Sequence, residues 1–162
     1  MLLFNRRLVL ALPLAVMACG FTPAYGPKGP AAGLQGSVSV HSPADKNSFD
    51  LVERLEERLG RPRAVAYDMT YSIATSAVGV GVTPDNAITR YNLNGSIDWS
   101  LTARASGARI TGGQVHSFTS YSATGSTIAG IAAQEDAARR LMRLLADQIV
   151  ERMLATSGTW AQ

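Results

Sequence analysis

Cysteine, aromatic residues and long apolar runs are scarce in this chain of 162 residues, and each scarcity excludes a class of fold. Cys19 is the only cysteine, so no intrachain disulfide can form and the fold must depend on packing. Aromatic residues make up 7% of the sequence, which favours a compact sheet with small residues on one face. The apolar run at 8–18 is shorter than the roughly 20 residues that a membrane-spanning helix needs.

A large charge of either sign is also missing once the N-terminus is considered. The formal net charge is +3, but Arg6 and Arg7 lie in a segment that we expect to be removed. Of the 15 Lys and Arg side chains, 13 then remain against 12 Asp and Glu. A nearly neutral domain gives no electrostatic reason to predict nucleic acid as a partner.

Catalytic and metal-binding motifs are not found either. His41 and His116 fall in separate predicted strands, without cysteines or clustered carboxylates beside them. No G-x-S-x-G motif is present, and the adjacent Glu135 and Asp136 would point to different sides of a helix. The sequence therefore predicts no enzyme and no cofactor site, and we interpret the chain as a binding or assembly protein.

The N-terminal segment has the features of a secretory signal. Arg6 and Arg7 form a positive region, and the apolar run at 8–18 follows them. A signal of this kind is removed after export, so we predict that residues 1–18 are absent from the mature protein.

The end of this segment resembles a bacterial lipobox, with Val16 at −3, Met17 at −2, Ala18 at −1 and then Cys19. Met17 departs from the short residue usual at −2. The resemblance implies that Cys19 receives a diacylglycerol and, after cleavage, a further acyl chain on its amine. Several acyl chains would hold the protein firmly on a membrane, because each buried CH₂ contributes about 0.8 kcal/mol. The alternative is an ordinary signal whose cysteine remains a buried thiol.

After the signal, proline and glycine predict a tether, and periodicity predicts the elements that follow it. Apolar residues at spacings of three and four predict two helices. The first helix has Asn47 or Ser48 as its N-cap, Asp50 in its first turn and Gly60 as the residue that ends it. Gly112 and Gly113 are interpreted as a bulge. The predicted segments are a lipidated tether at 19–36, strands at 37–41, 64–80, 88–104 and 109–121, helices up to Leu59 and over 127–155, and a frayed tail at 158–162 that contains Trp160; the domain itself covers 37–157.

The strand at 88–104 has the clearest pattern, because apolar and polar residues alternate along its whole length. Such an alternation is typical of an antiparallel strand with one buried and one wet face. The predicted buried face is Tyr91, Leu93, Gly95, Ile97, Trp99, Leu101 and Ala103; the wet face is Arg90, Asn92, Asn94, Ser96, Asp98, Ser100, Thr102 and Arg104.

The last helix shows one apolar stripe, and its members are Ile131, Ala138, Leu141, Leu145, Ile149 and Met153, widened by Met142 and Leu144. Helices on one face of a small sheet bury such stripes economically. We therefore predict an α+β fold in which two helices pack on one face of a four-stranded, mostly antiparallel sheet, in the order β-α-β-β-β-α.

Two motifs resemble those of a known family. The sequence C-G-F-T-P-A-Y-G at 19–26 is similar to the opening of the lipopolysaccharide-assembly lipoproteins of the LptE family, in their alphaproteobacterial form. The sequence F-T-S-Y at 118–121, followed by A-A-Q-E-D-A-A-R-R at 132–140, resembles the end of the domain in that family. The two motifs occur at opposite ends of the mature chain, and the order of elements between them agrees.

The resemblance implies a lipid-anchored protein in the periplasmic leaflet of the outer membrane of a Gram-negative bacterium. It implies docking in the lumen of an LptD-type β-barrel, assistance to barrel folding, and contact with lipopolysaccharide. Gly20 agrees with outer-membrane sorting, since an inner-membrane retention signal would have aspartate there. Two alternatives remain open at this point: the lipid-anchored subunit of another lipid-transport complex, and an anchored hydrolase.

The wet face of the 88–104 strand supplies the candidate contacts. A polar face suits the polar interior of an outer-membrane barrel, so we predict that Asn92, Asn94, Ser96, Asp98 and Ser100 face the partner. Guanidinium groups bind phosphate oxygens in pairs, so Arg90, Arg104 and Arg109 are the candidates for contact with the phosphates of lipopolysaccharide.

Overall fold

The structure, a computed structural model, describes residues 25–26, 29, 31–84, 87–123 and 127–160. Within these ranges the order of elements is the predicted β-α-β-β-β-α, followed by a short 3₁₀ turn. The elements are β1 (Val38–Val40), α1 (Lys46–Leu59), β2 (Tyr67–Val82), β3 (Ile88–Ala103), β4 (Arg109–Ser122), α2 (Thr127–Thr156) and the 3₁₀ turn Ser157–Thr159.

The sheet follows the sequence order, β1-β2-β3-β4. The three residues of β1 pair in parallel with the start of β2, and β2–β3 and β3–β4 are long antiparallel pairs. The parallel pair is possible because α1 supplies the crossover between β1 and β2. The predicted fold class is therefore confirmed.

The predicted alternation along β3 places its apolar residues under the helices. Ile97 and Leu101 are fully buried, and Trp99 is nearly so. Gly95 belongs to the same face, because a Cβ on it would lie 2.9 Å from Leu141 Cδ2 and 3.1 Å from Leu145 Cδ1. The absence of a side chain at this position therefore lets α2 approach the sheet closely.

The start of α1 differs from the prediction by two to three residues. The N-cap is Asp45, whose carboxylate accepts the backbone N–H of Ser48 at 2.7 Å, and the Ser48 hydroxyl accepts the N–H of Asp45 at 2.9 Å. The Ser48 hydroxyl also donates to the Asp45 carboxylate at 2.7 Å, and this bond, together with the one from the Ser48 N–H, lowers the pKa of Asp45. Ser48 is thus the third residue of a capping box instead of the cap. Asp50 lies in the second turn, where it is buried and paired with Lys46 at 3.1 Å.

The end of α1 is as predicted. Gly60 has φ 77°, a positive value that glycine adopts without strain. The two helices are joined by ion pairs, because the carboxylate of Asp147 in α2 lies 3.0 Å from the guanidinium of Arg54 and 3.0 Å from that of Arg58. Arg143 of α2 in turn contacts Glu57 at 3.2 Å. Among the described helices, none has the length and apolar character that crossing a membrane requires.

The apolar stripe of α2 is confirmed in its second half and wrong at two positions. Leu141, Met142, Leu145, Ile149 and Met153 are fully buried. Ile131 and Leu144, however, are 54% and 45% exposed. Ile131 lies in the first part of the helix, where most of residues 127–136 are exposed, and Leu144 lies beside the stripe. The pattern also missed three buried residues, Ala137, Ala146 and Val150.

The last part of the predicted tether belongs to the domain. Ala31 and Leu34 are each 1% exposed and pack in the core. Gly36 fixes this segment, because its N–H donates to Leu59 O at 2.8 Å and its carbonyl accepts the N–H of Arg63 at 2.8 Å. Ala31, Leu34 and Gly36, which were assigned to the tether, therefore pack with the folded domain.

Two further predictions are wrong. Gly112 and Gly113 pair regularly with Ser100 and Trp99, and the register shift of the β3–β4 pair falls next to Thr102 instead. Residues 158–160 of the predicted tail are not frayed, since Trp160 packs edge-to-face on Tyr67 with ring centroids 5.4 Å apart. This part of the tail thus covers one corner of the sheet, and residues 161–162 lie outside the described residues.

Candidate interaction surface

The helices cover one face of the sheet, and the opposite face has no layer over it among the described residues. We call this the open face. Its side chains are mostly neutral, and they come from alternate positions of three strands: Ser72, Ala74, Ser76 and Val78 on β2; Asn92, Asn94, Ser96, Asp98 and Ser100 on β3; and Gln114, His116, Phe118 and Ser120 on β4.

The five residues predicted to face a partner all lie on the open face, but in two different environments. Asn92 Oδ1 accepts the hydroxyl of Ser120 at 2.6 Å, and Asp98 Oδ2 accepts the amide of Gln114 at 3.1 Å. These bonds tie β3 to β4. In the described part of the chain, Asn94 has no such side-chain hydrogen bond, and its polar atoms remain available to a ligand or partner.

Phe118 is a part of this surface that the sequence reasoning did not select. It pairs with Asn94 across β3–β4, and it is 61% exposed. Together with Ser76, Ser96 and His116 it lines a shallow groove of about 560 Å³. The signal was present in the sequence, because Phe118 is in phase with the polar positions of β4 and not with the buried Val115 and Thr119.

The structure does not bring the three candidate arginines together. Arg104 is held by Asp68, with Arg104 Nε 3.0 Å from Asp68 Oδ2 and a second guanidinium–carboxylate hydrogen bond beside it. This pairing lowers the pKa of Asp68. Arg104 is therefore already engaged with a carboxylate, which weakens it as a phosphate ligand.

Arg90 and Arg109 are both exposed and lie far apart. Arg109 pairs with Thr102, twelve residues along β3 from Arg90. At 3.3 Å per residue, this separation is about 40 Å. Arg109 bends back over the open face, where its guanidinium lies 2.6 Å from the position that a Cβ on Gly112 would take. One phosphate group could not contact both arginines.

The far end of the β2–β3 hairpin is exposed on both sides. Residues 74–80 of β2 are all exposed, and Val78 and Val80 are each 50% exposed. At the same end of the molecule, Ile128 at the start of α2 is 81% exposed. The end of the sheet beyond the helices thus presents aliphatic side chains to its surroundings.

The predicted anchor, Cys19, and the lipobox residues Val16, Met17 and Ala18 lie outside the described residues. The two histidines are on different parts of the sheet, since His41 lies beside Tyr71 with ring centroids 6.4 Å apart and His116 lines the groove next to Phe118.

Comparison with known proteins identifies the family. Residues 36–153 match the LptE lipopolysaccharide-assembly family. The chain belongs to the LptE family. Membership implies a role in lipopolysaccharide assembly, and the family is non-catalytic and consists of lipoproteins of Gram-negative bacteria. A search of curated proteins found no match.

Solved structures of lipoproteins have the same fold. A protein of Caulobacter crescentus CB15 assigned as a lipoprotein is 23% identical, with a TM-score of 0.66 over 83% of this chain and 99% of that one. Rare lipoprotein B of Shewanella oneidensis is 13% identical, with a TM-score of 0.58 over 78% of this chain and 98% of that one. Lipoprotein B of Nitrosomonas europaea is also 13% identical, with a TM-score of 0.56 over 77% of this chain and 90% of that one. At these identities the likeness concerns the fold.

Proposed function

We propose that the chain is an outer-membrane lipoprotein that docks through its open face in the lumen of an LptD-type β-barrel and assists the assembly of lipopolysaccharide. Family membership supports the part of this proposal that concerns lipopolysaccharide assembly. The observation that carries the docking proposal is the composition of the central part of the open face, where the thirteen positions named above include one formal charge, that of Asp98. The charged residues Asp68, Arg90 and Arg104 lie beyond these positions, towards the two ends of the face.

A neutral polar face suits a hydrated barrel interior. The lumen of an outer-membrane barrel is lined by polar side chains, whereas its apolar residues face lipid. Short Ser and Asn side chains can exchange hydrogen bonds with such a wall, and few charges have to lose water when they do so. The exposed ring of Phe118 provides an apolar centre for the contact, as buried aromatic residues do in many protein interfaces.

The anchor in this proposal is Cys19, on the evidence of the lipobox at 16–19. A Cys19→Ser chain, expressed with a clickable fatty acid in the medium, should carry no label, while the natural chain is labelled. Label that persists on the variant would show that acylation occurs elsewhere.

Contact with lipopolysaccharide is assigned to Arg90 and Arg109, because they are exposed and, among the described residues, neither has an ion-pair partner. Since they lie at opposite ends of β3, each would meet a different phosphate group. Arg104 becomes available only if its pair with Asp68 opens.

The docking proposal is tested by purification of the tagged full chain from membranes in mild detergent. A large β-barrel should co-purify in stoichiometric amount. It should also co-purify with a Cys19→Ala chain exported by a cleavable signal, because the fold and not the acyl chains makes the contact. Recovery of the tagged chain alone, or with an inner-membrane transporter, would favour a subunit of another lipid-transport complex.

A matched pair of variants locates the contact on the molecule. Asn94→Arg places a charge at the centre of the open face, and Gln134→Arg makes the same change of an exposed amide on α2. The barrel should no longer co-purify with the Asn94→Arg chain, although the thermal midpoint of that chain is unchanged. The barrel should still co-purify with the Gln134→Arg chain. Loss with Gln134→Arg alone would place the contact on the helical layer.

A further inference from the structure

The outer side of α1 carries a groove that the docking proposal does not use. Its volume is about 520 Å³, and Pro43, Phe49 and Val52 form its apolar part. Phe49 is 56% exposed, and among the described residues no aromatic ring packs against it. We call this the α1 groove. At about 3.6 residues per turn, Phe49 lies on a different side of the helix from Arg54 and Arg58, which pair with α2.

The segment that leads into the domain passes one end of this groove. Arg61 lines the groove, and its carbonyl oxygen lies 3.3 Å from the position that a Cβ on Gly36 would take. Upstream of Gly36, both Leu34 and Ala31 are buried in the core, so this part of the chain is held against the end of α1. The tether therefore joins the domain next to the α1 groove.

Tyr25 shows that the tether is still beside α1 further upstream. Its side chain is 38% exposed, so most of it is covered. Burial raises the pKa of Tyr25, and the charge of Arg58, in the last turn of α1, acts against this rise. Downstream of Tyr25 the main chain turns, since the N–H of Gly29 donates to Gly26 O at 2.8 Å and the N–H of Ala32 donates to Gly29 O at 3.0 Å. The turn keeps Tyr25 close to the end of the helix.

The sequence upstream of Tyr25 has the length and the composition to fill the groove. It contains a second aromatic residue, Phe21, and no charged residue between Cys19 and Tyr25. Proline at 23 favours an extended chain, in which four residues span about 12 Å. Along α1, the interval from Arg58 to Glu53, which lines the groove, is five residues or about 7.5 Å. Phe21 is thus within reach of the middle of the groove.

We propose that residues 21–25 of the tether bind along α1 of their own chain, with the ring of Phe21 in the α1 groove against Phe49 and Val52. Paired aromatic rings stabilise a contact beyond the area that they bury. An uncharged segment has no ionic group that must lose its water on binding. Because the tether is covalently attached beside the groove, its effective concentration there is high, which favours it over a separate protein.

Binding of the tether determines how the anchor is connected to the domain. Cys19 is two residues from Phe21, so the acylated residue would be held within about 7 Å of the groove. The distance and the direction between the anchor and the domain would then be fixed by α1. This contact uses the helical side of the molecule and is independent of docking through the open face.

Disulfide formation within the full chain tests where the tether binds. The variant Phe21→Cys/Glu53→Cys places one thiol on the tether and the other in the α1 groove. The matched control is Phe21→Cys/Glu151→Cys. Glu151 is also an exposed glutamate, and it lies four residues, about 6 Å, along α2 from Asp147, the partner of Arg58. A tether that moved freely would reach both positions.

After mild oxidation of membranes, the remaining thiols are labelled with a maleimide–polyethylene glycol and the chains are separated on a gel. The Glu53→Cys pair should form several times more disulfide than the Glu151→Cys pair. The chains with Glu53→Cys or Glu151→Cys alone control for a disulfide to Cys19. Equal yields from the two pairs, more disulfide with Glu151→Cys, or no disulfide with either would each overturn the proposal.

Thermal unfolding of the full chain in detergent tests the contact between the two rings. Phe21→Ala and Phe49→Ala should each lower the thermal midpoint, because each removes one side of the contact. The double variant should unfold close to the lower of the two single variants, since substitutions of contacting residues are not additive. The control is Phe118→Ala on the open face, whose shift should add to that of Phe21→Ala.

Two results would show that the rings do not meet: an unchanged midpoint for Phe21→Ala, or a shift that adds fully to that of Phe49→Ala. Neither measurement involves the barrel. Failure of this proposal is therefore distinguishable from failure of the docking proposal, which co-purification decides.

Discussion

The two faces of β3 are made from one strand, yet they have opposite physical roles. Ile97 and Leu101 on the helix side are fully buried, whereas Asn94 and Asp98 on the other side are exposed. A strand directs successive side chains to opposite faces, so a shift of one residue separates the core of the domain from its interaction surface. Stability and partner binding can therefore be changed independently by substitutions at neighbouring positions.

The largest effect that would test this comparison is loss of packing on the helix side. Leu145 is fully buried against Gly95, whereas its neighbour Leu144 is 45% exposed. Leu145→Ala should lower the free energy of unfolding by about 2–5 kcal/mol, as large-to-small core substitutions do. Leu144→Ala is the matched control and should cost less than about 1 kcal/mol, because most of its effect is on the surface. Urea denaturation measures both, and equal losses would show that the wrong side of α2 has been assigned to the core.

A smaller loss is expected when the core is overfilled. Gly95→Ala places a methyl group 2.9 Å from Leu141 Cδ2 and should lower the free energy of unfolding by about 1–3 kcal/mol. Gly113→Ala, where the nearest atom would be Arg152 Nη1 at 3.7 Å, should be tolerated. In the double variant Gly95→Ala/Leu145→Ala, the new methyl should occupy part of the cavity. The free energy of unfolding lost in the double variant should then be smaller than the sum of the losses in the two single variants. A loss equal to that sum would mean that α2 and the sheet do not meet at Gly95.

Substitutions on the open face should have little effect on the isolated domain. Asn94→Ala and Ser96→Ala should each change the free energy of unfolding by no more than about 0.5 kcal/mol, as surface changes usually do. The measurement is chemical denaturation of the purified chain without partner. A loss of the size expected for Leu145→Ala would mean that this face is covered within the domain, and the docking proposal would fail with it.

The smallest effect concerns the ion pair at the base of the open face. Because Arg104 lowers the pKa of Asp68 in the folded chain, the carboxylate stabilises the fold fully above its ordinary pKa. That contribution is lost as the pH falls through the lowered value. Thermal midpoints measured between about pH 6 and pH 2 should therefore fall less steeply for Asp68→Asn than for the natural chain. An unchanged acid slope would show that the pair does not persist in solution.

The sequence predicted the fold well where a pattern is repeated over many residues. Fifteen alternating positions, 90–104, defined β3, and Leu59 followed by Gly60 defined the end of α1, because both signals are local. The exposure of Ile131 was not predictable in the same way. Periodicity identifies the side of a helix that is apolar, but it does not say how much of that side other elements cover.

Positions that depend on distant neighbours were the ones that sequence reasoning missed. The two glycines at 112–113 indicated a bulge, but Gly112 instead provides room for the guanidinium of Arg109 and for the main chain of β3. Leu34 was assigned to the tether because of the prolines before it, although tertiary contacts bury it. For the interaction surface, the polar face of β3 was predictable, whereas the pairing of Arg104 with Asp68 depends on strand register.

The attachment at Gly36 determines what the anchored domain can reach. Gly36 is bonded to Leu59 and Arg63, at the end of the sheet where Tyr67 pairs with Ala103, and the tip of the β2–β3 hairpin lies at the opposite end. With Cys19 acylated, as we propose, the anchor precedes this end of the sheet in the sequence, and the sixteen residues of β3 extend about 50 Å away from it. This length is about twice the apolar band of an outer-membrane barrel, which is about 25 Å tall. A molecule fixed in the inner leaflet could thus extend its hairpin through the whole thickness of the membrane without releasing its anchor.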